Sequence, residues 1–295
     1  MSQITAPLVS SQGFEYGVKH FYNQKTGLIS EILFDSLGLA TAEIQLVLKL
    51  GAIYINNERQ VIDRIVPENQ LFRVHSKPRR YNCGYDFKSR VIFENSDFII
   101  VNKASGIPSH PSVDNITENS LSQTALALNC PLYITHRLDT LTSGLIVYAK
   151  SSQFVKNFNL QMQNRNIDKK YVALIEKNSQ SLPSRVIHYM EPTPRAPKNV
   201  SPVFTEGWAF CELEVLEQKK YSPDLSWIKI NLLTGRTHQI RSQLSNLGSP
   251  ILGDLMYGSR TQYLTDAIAL RACELEFNWG SQRMKFNLNE EFELV

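Results

Sequence analysis

Residues 136–150 read HRLDTLTSGLIVYAK, and this stretch decides how the rest of the chain is interpreted. His136, Arg137 and Asp139 come first, a small polar turn follows at 142–144, and an apolar run then leads away from it. A buried strand explains the apolar run. It does not explain a carboxylate beside two potential cations. The stretch therefore predicts a functional site at the edge of a sheet, held in place by a strand.

The composition is that of an ordinary globular protein. At 295 residues the chain can form one large domain, or a large domain and a small one. The net charge of +3 permits an anionic partner without requiring one. Apolar runs of about 18 residues are absent, and the first residues lack the pattern of a secretory signal. We therefore expect a cytoplasmic protein that does not enter a membrane.

The cysteines do not form a metal-binding pattern. The four residues, Cys83, Cys130, Cys211 and Cys273, are far apart and show no Cys-x-x-Cys spacing. Scattered single thiols are typical of a reducing compartment, where they serve as small buried or neutral residues. We expect no metal site.

Two short helices are predicted near the start of the chain. Apolar residues at three- and four-residue steps predict a helix over 28–37, which Gly38 ends. A second helix follows over 41–50, with Thr41 as its N-cap. Strands are expected over 52–57 and 70–74. These features divide the chain into an irregular arm at 1–26, a small module at 27–80 and a catalytic domain at 81–295.

The small module resembles the helix-helix-strand RNA-binding module first seen in a ribosomal protein. The match lies in 38–40, in 51–56 and in the late strand. The second helix of that module is usually basic, whereas here it carries only Glu43 and Lys49 as charged residues. RNA contact and a purely structural role both stay open, because phosphate affinity depends on accumulated Lys and Arg contacts.

Residues 75–81 predict a linker to the second domain. Pro78 interrupts regular structure, and the neighbouring Arg79 and Arg80 either reach phosphate or stay solvated. Beyond the linker, many strands alternate with few helices, which favours an α+β domain. Strands are predicted over 91–93, 98–101, 144–149, 171–175, 211–216, 227–233 and 269–277, and helices over 121–128, 151–162 and 237–247.

A second candidate segment begins at Gly235. The glycine permits a tight turn, and Thr237 can cap the helix that follows. Arg241 then lies about one helical turn beyond Thr237. The segment could present cations to a carboxylate or a phosphate, although a purely structural turn and cap remains an equal alternative.

Four ordered motifs together resemble the RluA-type family of RNA pseudouridine synthases. The first is the stretch at 136–150, in which His-Arg-Leu-Asp precedes Thr-Ser-Gly-Leu and an apolar run ending in Ala-Lys. The others are Lys-Tyr-x-Ala at 170–173, Gly-Arg-Thr-His-Gln-Ile-Arg at 235–241 and Gly-x-Pro-Ile-x-Gly-Asp-x-x-Tyr-Gly at 248–258. The resemblance covers about 90–278.

This resemblance implies both a fold and an activity. The fold would be α+β, with a mixed, largely antiparallel sheet and flanking helices, in addition to the small N-terminal helix-helix-strand module. The activity would be the isomerisation of uridine to pseudouridine in ribosomal or transfer RNA, without cofactor or metal. We expect a monomer.

The resemblance also implies three catalytic residues. Asp139 aligns with the catalytic aspartate, which either adds to the uracil ring or acts on the ribose as uracil leaves. Arg241 is the candidate for a salt bridge to Asp139, with phosphate binding as the alternative. Tyr171 would pack against the target base and could assist removal of the proton from the product carbon.

Other residues are assigned to RNA contact. By the same resemblance Arg137 would enter the RNA stack where the target base leaves, because a side chain filling that gap offsets part of the cost of extrusion. Arg236, His238 and Lys103 are expected to contact RNA or support the site, and His136 to hydrogen-bond within its turn.

Two other classes of protein are alternatives to an enzyme of this family. A catalytically inactive RNA-binding protein of the same fold would not need Asp139, Tyr171 and Arg241 together. A zinc deaminase would need a His-x-Glu with a Cys-x-x-Cys, and the sequence has no such pair.

Overall fold

The computed structural model describes residues 17–176 and 181–292. The chain forms two compact units, one made of Met1–Gly84 with His110–Gln123 and the other of Tyr85–Ser109 with Thr124–Val295. The division predicted from the sequence differs, since it assigned 110–123 to the catalytic domain.

Two arginines hold 110–123 in the first unit. The guanidinium of Arg79 donates to both carboxylate oxygens of Asp114, at 2.6 and 3.0 Å. Arg80 pairs with Glu118 at 2.6 Å. Although burial opposes it, hydrogen bonding to Arg79 lowers the pKa of Asp114 to about 2. These two cations of the predicted linker are therefore neither simply solvated nor free for phosphate.

Among its described residues, the first unit contains two complete helices and a four-stranded antiparallel sheet. The helices are α1 (Ile29–Leu37) and α2 (Thr41–Lys49), and Gly38 ends α1 with a left-handed backbone conformation. Thr41 is not the N-cap of α2, because that position falls on Ala40, whose N–H donates to the side chain of Glu43. The sheet has the order β1-β6-β3-β4, and β2 pairs with β5. The strands are β1 (Val18–Tyr22), β2 (Gly27–Leu28), β3 (Ile53–Ile55), β4 (Glu58–Gln60), β5 (Ile65–Val66) and β6 (Leu71–His75).

The arm predicted at 1–26 is not irregular throughout. Val18–Tyr22 form β1, which pairs antiparallel with β6. Only Phe21 of this strand is buried, so the sequence offers no hydrophobic alternation from which a strand could be inferred. The first sixteen residues of that predicted arm lie outside the described residues.

The second unit contains an eleven-stranded sheet among its described residues. Nine strands follow the order β13-β12-β14-β15-β11-β16-β10-β8-β7, while β17 pairs with β16 and β9 with β10. Helix α3 (Ser120–Leu128) begins among the residues of the first unit and ends among those of the second, which also contains α4 (Ser152–Gln163) and α5 (Gln239–Asn246). The strands are β7 (Val91–Glu94), β8 (Phe98–Lys103), β9 (Tyr133–Ile134), β10 (Ser143–Ala149), β11 (Asp168–Glu176), β12 (Arg185–Met190), β13 (Val200–Ser201), β14 (Ala209–Lys220), β15 (Leu225–Leu232), β16 (Leu270–Trp279) and β17 (Gln282–Asn287).

This architecture confirms the predicted α+β class with a mixed, largely antiparallel sheet. Among the paired strands described, only β10 and β16 run parallel. The sequence prediction missed β12 and β17, as well as the two-residue strands β9 and β13. Strand β17 buries only Phe286, and the buried side of β12 includes the polar His188, so neither shows an apolar alternation in the sequence, and their positions depend on pairing with β14 and β16. No helix of the described residues is long and apolar enough to span a membrane.

Aromatic packing fixes the strand that leads away from residues 136–142. The rings of Phe98 on β8 and Phe154 on α4 are stacked with centroids 4.6 Å apart. Phe158 and Phe277 complete the same cluster, which is almost fully buried. Large aromatic side chains contribute much of the apolar area that stabilises a core. Strand β10 therefore rests on a rigid layer.

Gly144 permits the one parallel contact in the sheet. It has φ +114°, and a Cβ added there would lie 2.2 Å from the carbonyl oxygen of Ala272 on β16. No side chain fits that gap. The glycine of the Thr-Ser-Gly-Leu motif is thus required by the close approach of two backbones.

We expect Gly144→Ala to lower the free energy of unfolding by more than about 3 kcal/mol, because the methyl group must push β10 and β16 apart. Gly207→Ala is the matched control, since Gly207 also has positive φ (+79°) but open space around its missing Cβ. That control carries only the conformational cost of about 1–2 kcal/mol. Urea unfolding of both variants measures the difference, and equal losses would show that the clash at Ala272 does not matter.

Candidate active site

Asp139 lies in the loop between β9 and β10, and the backbone around it is tightly held. The N–H of Thr142 donates to the carbonyl of Asp139 at 3.1 Å and closes the turn. On the other side, Ser109 Oγ accepts from the N–H of Leu138 at 3.0 Å and donates to the carbonyl of Leu138 at 2.7 Å. Both backbone groups of the residue before Asp139 are therefore fixed by one buried hydroxyl. No local pattern in the sequence indicates this role of Ser109.

Arg241 on α5 connects two carboxylates. Its Nη1 lies 3.4 Å from Asp139 Oδ2, and its Nε and Nη2 donate to the two oxygens of Asp254 at 2.7 and 2.9 Å. The structure thus brings Asp139 and Arg241 together, as the sequence predicted. Asp254 was not predicted as a site residue, although it lies in the motif at 248–258, which supplied a signal for it.

The electrostatic balance of this cluster keeps Arg241 charged. Burial alone would lower the pKa of Arg241, but hydrogen bonding to Asp254, together with the charges of Asp254 and Asp139, raises it. Arg241 is only 3 % exposed and Asp254 1 %. A charge buried this deeply is stable only because its partner is present.

His238 contacts Asp139 from a second direction. Its Nε2 lies 4.0 Å from Asp139 Oδ1, and its Nδ1 lies 3.0 Å from the hydroxyl of Tyr257. That hydroxyl already accepts the N–H of Lys198 at 2.7 Å, so its own proton can be donated to Nδ1. The ring proton is then on Nε2 and faces Asp139. Burial lowers the pKa of His238 and favours this neutral form, although the charge of Asp139 opposes the shift.

The start of α5 differs from the prediction. The helix begins at Gln239 rather than Thr237, and Thr237 does not cap it. Instead, the side chain of Gln239 closes the preceding turn by accepting from Thr234 Oγ1 at 2.8 Å and from the N–H of Arg236 at 3.0 Å. His238 takes the N-cap position with φ 58°. This conformation leaves its ring free to reach Tyr257 and Asp139.

Tyr171 on β11 is buried near Asp139. Burial is the main cause that raises the pKa of its hydroxyl above the ordinary value, and the charge of Asp139 adds to the effect. The phenol is therefore protonated at neutral pH. It can present an apolar ring and a neutral hydroxyl to a ligand.

His136 has a structural role, but its hydrogen-bond partner lies on β10, whereas the sequence predicts a partner within the turn. Its Nε2 accepts the N–H of Val147 at 3.2 Å, and its ring stacks on Phe158. Burial, assisted by the charge of Lys169, lowers the pKa of His136 to about 3. The imidazole is therefore neutral.

Lys103 is not placed for the RNA contact predicted from the sequence. It is fully buried, and its ammonium donates to the carbonyls of Ala104 and Ile107 at 2.8 Å and of Thr140 at 3.2 Å. The side chain thus connects the end of β8 to the loop that carries Asp139. Sequence reasoning cannot distinguish this inward lysine from a surface one, because the difference lies in the tertiary position of the loop.

Burial also lowers the pKa of Lys103 to about 7. The unfolded chain therefore binds more protons than the folded chain between pH 7 and about 10, so this lysine makes stability rise with pH in that window. We expect the unfolding free energy of the wild type, minus that of Lys103→Met, to increase by up to about 1.4 kcal/mol per pH unit. Denaturant titrations at several pH values measure it. Lys156→Met, at an exposed position on α4, is the control. If the difference in unfolding free energy were independent of pH for both variants, the lowered pKa of Lys103 would be contradicted.

The remaining predicted RNA-binding residues are accessible. Arg137 and Arg236 are both exposed, on the two segments that contribute Asp139 and Arg241. Among residues 17–176 and 181–292, no group of three or more His, Cys, Asp or Glu side chains is arranged to hold a metal ion.

Comparison with known proteins places the chain in a family. A family profile described as RNA pseudouridylate synthase matches residues 97–246. An uncharacterized RNA pseudouridine synthase of Mycoplasma genitalium is 32% identical over 250 residues, which cover 80% of this chain and 79% of that protein. The chain belongs to the RluA-type family of RNA pseudouridine synthases.

Two further comparisons are consistent with this membership. RNA pseudouridine synthase 6, chloroplastic, of Oryza sativa subsp. japonica is 34% identical over 230 residues, 68% of this chain and 48% of that protein. The chain thus spans about half the length of the plant relatives that it matches. The solved structure of human RNA pseudouridylate synthase domain containing 1 aligns with a TM-score of 0.54 and 25% identity, over 68% of this chain and 82% of that one.

Proposed function

We propose that this chain isomerises uridine to pseudouridine in RNA, with Asp139 as the catalytic carboxylate. The observation that carries the proposal is the position of Asp139, which lies in the family's most specific motif and 3.4 Å from the guanidinium of Arg241. A catalytically inactive RNA-binding protein of the same fold would have no use for this buried arrangement of charges.

The chemistry needs a positioned carboxylate and no co-reactant. The bond between ribose C1′ and uracil N1 breaks, the uracil turns, and a new bond forms between C1′ and C5. The proton lost from C5 is balanced by the one gained at N1, so the product is an isomer of the substrate. Asp139 can start the reaction either at the uracil ring or at the ribose, and in both routes it acts as an anion.

The neighbours of Asp139 have separate proposed roles. Arg241 orients the carboxylate through its contact at 3.4 Å, and the Nε2–H of His238 faces the other oxygen at 4.0 Å. Tyr171 packs its neutral ring against the target base. A protonated phenol can accept the C5 proton only if its own proton passes to another group, for which Asp139 is the nearby acceptor.

RNA contact is proposed for the exposed arginines. Arg137, two residues before Asp139, would fill the gap left by the extruded uridine, and Arg236 would contact the backbone. Extruding a base costs a few kcal/mol, which such an inserted side chain partly offsets. Lys103 has no part in this set.

Both predicted RNA classes are candidates for the substrate. One relative, from Saccharomyces cerevisiae, is named tRNA pseudouridine(32) synthase, mitochondrial, and another, from Buchnera aphidicola, is named ribosomal large subunit pseudouridine synthase C. We also propose a cytoplasmic monomer. The free thiols of the four cysteines suit a reducing compartment, and sedimentation equilibrium measures the oligomeric state.

We expect Asp139→Asn to lower pseudouridine formation by about 10³-fold or more, because the reacting carboxylate is lost while the shape of the site is kept. Tritium release from [5-³H]uridine-labelled ribosomal and transfer RNA transcripts measures the reaction at C5. Circular dichroism and RNA binding should stay at wild-type levels. Full activity of the variant would reject Asp139 as the catalytic group, and an inactive wild type would favour the RNA-binding alternative.

Arg241→Met should lose activity and also stability, because it leaves Asp254 buried without its cation. The double variant Arg241→Met, Asp254→Asn separates the two effects. It removes the uncompensated charge and should recover most of the stability, as measured by thermal unfolding. Activity should not recover, since Asp139 still lacks its partner. Recovery of tritium release would mean that Arg241 acts only through Asp254.

A further inference from the structure

The two faces of strand β11 differ in whether their charged side chains are paired. Lys170 pairs with Glu274 at 2.9 Å, and Glu274 also accepts a hydrogen bond from Lys229. Successive side chains of a strand point to opposite faces, so Lys169 lies on the other face, together with Tyr171. The bulge beside Lys170 is on β16, where Cys273 is the extra residue, and the register of β11 against β15 is regular.

Lys169 is the cation on the face that carries Tyr171. Its ammonium lies against the backbone of Gly235, where a Cβ would be only 3.1 Å from Nζ. Its charge also helps to lower the pKa of His136, which begins the segment of Asp139. Lys169 is therefore adjacent to both segments that form the candidate active site.

The ammonium of Lys169 has neither a hydrogen bond nor an ion pair with any residue in 17–176 or 181–292, in contrast to the ammonium groups of Lys170 and Lys229 on the opposite face. Its side chain is only partly exposed, and burial lowers its pKa to about 8. A largely buried ammonium without a counter-charge is unfavourable unless a ligand supplies one. The folded protein therefore keeps an unfavourable unpaired charge beside its candidate active site.

We propose that Lys169 binds a phosphate of the RNA backbone next to the target uridine. This inference rests on the proposed function. The bases of RNA are neutral, so the only anion that this substrate can bring to Lys169 is a phosphate. Two residues along a strand span about 6.6–6.8 Å, which puts a phosphate at Lys169 within one nucleotide of a base packed on Tyr171. The ammonium has three donors and binds phosphate as a compact charge.

The salt dependence of RNA binding tests the proposal. Each phosphate contact to a single strand contributes about 0.7 to the slope of log K against log salt concentration. The probe is a fluorescein-labelled 20-nucleotide oligouridylate, which offers a uridine in every register. Lys169→Met should reduce the slope by about 0.7, with about eightfold weaker binding at 50 mM KCl that approaches wild-type binding at 1 M.

Lys170→Met is the matched control, because it removes the same charge from the next residue, where it is paired with Glu274 on the opposite face. Its slope should equal that of the wild type. Lys169→Met should also melt at or above the wild-type temperature, since it removes a buried charge that has no described partner.

Several outcomes would overturn the proposal. Equal slopes for the wild type and Lys169→Met, or a variant that fails to fold, would show that Lys169 serves the protein rather than a phosphate. Absence of oligouridylate binding by the wild type would reject it as well. These outcomes are independent of tritium release, so an enzyme that forms pseudouridine with unchanged slopes contradicts only the role of Lys169.

Discussion

The buried guanidinium of Arg241 is the interaction on which the candidate active site depends. Asp254 takes two of its nitrogens in a bidentate pair, so the remaining Nη1 faces Asp139 in a fixed direction. Breaking one member of such a buried group typically costs about 3–5 kcal/mol. The group therefore cannot lose one member without a loss of stability, and it sets the position of the proposed catalytic carboxylate.

Backbone constraints bring the loop of Asp139 to that guanidinium. Gly144 lets β10 approach β16, and Ser109 holds the residue before Asp139 through both of its backbone groups. Lys103 connects the same loop to the end of β8. Each of these contacts is buried, so little freedom is left for the carboxylate to move. Pre-organisation of this kind reduces the reorganisation needed during a reaction.

Paired and unpaired charges lie on different faces of β11, and this difference separates a structural face from the proposed RNA-binding face. One face is saturated with ion pairs centred on Glu274, which suits a structural surface. The other face holds Tyr171 and the unpaired Lys169, close to Gly235 and His136. An enzyme that binds a polyanion gains from leaving such a cation uncompensated until the substrate arrives.

The sequence by itself determined the family, the α+β class and the candidate residues Asp139, Tyr171 and Arg241, because these depend on local motifs and periodic apolar patterns. It also suggested that Arg241 would reach Asp139. Only the tertiary structure decided that Lys103 points inward, that Gln239 rather than Thr237 closes the turn before α5, and that Arg79 and Arg80 bind Asp114 and Glu118. Strands β1, β12 and β17 likewise escaped prediction. The common physical reason is that these features depend on partners distant in sequence, whose positions no local pattern encodes.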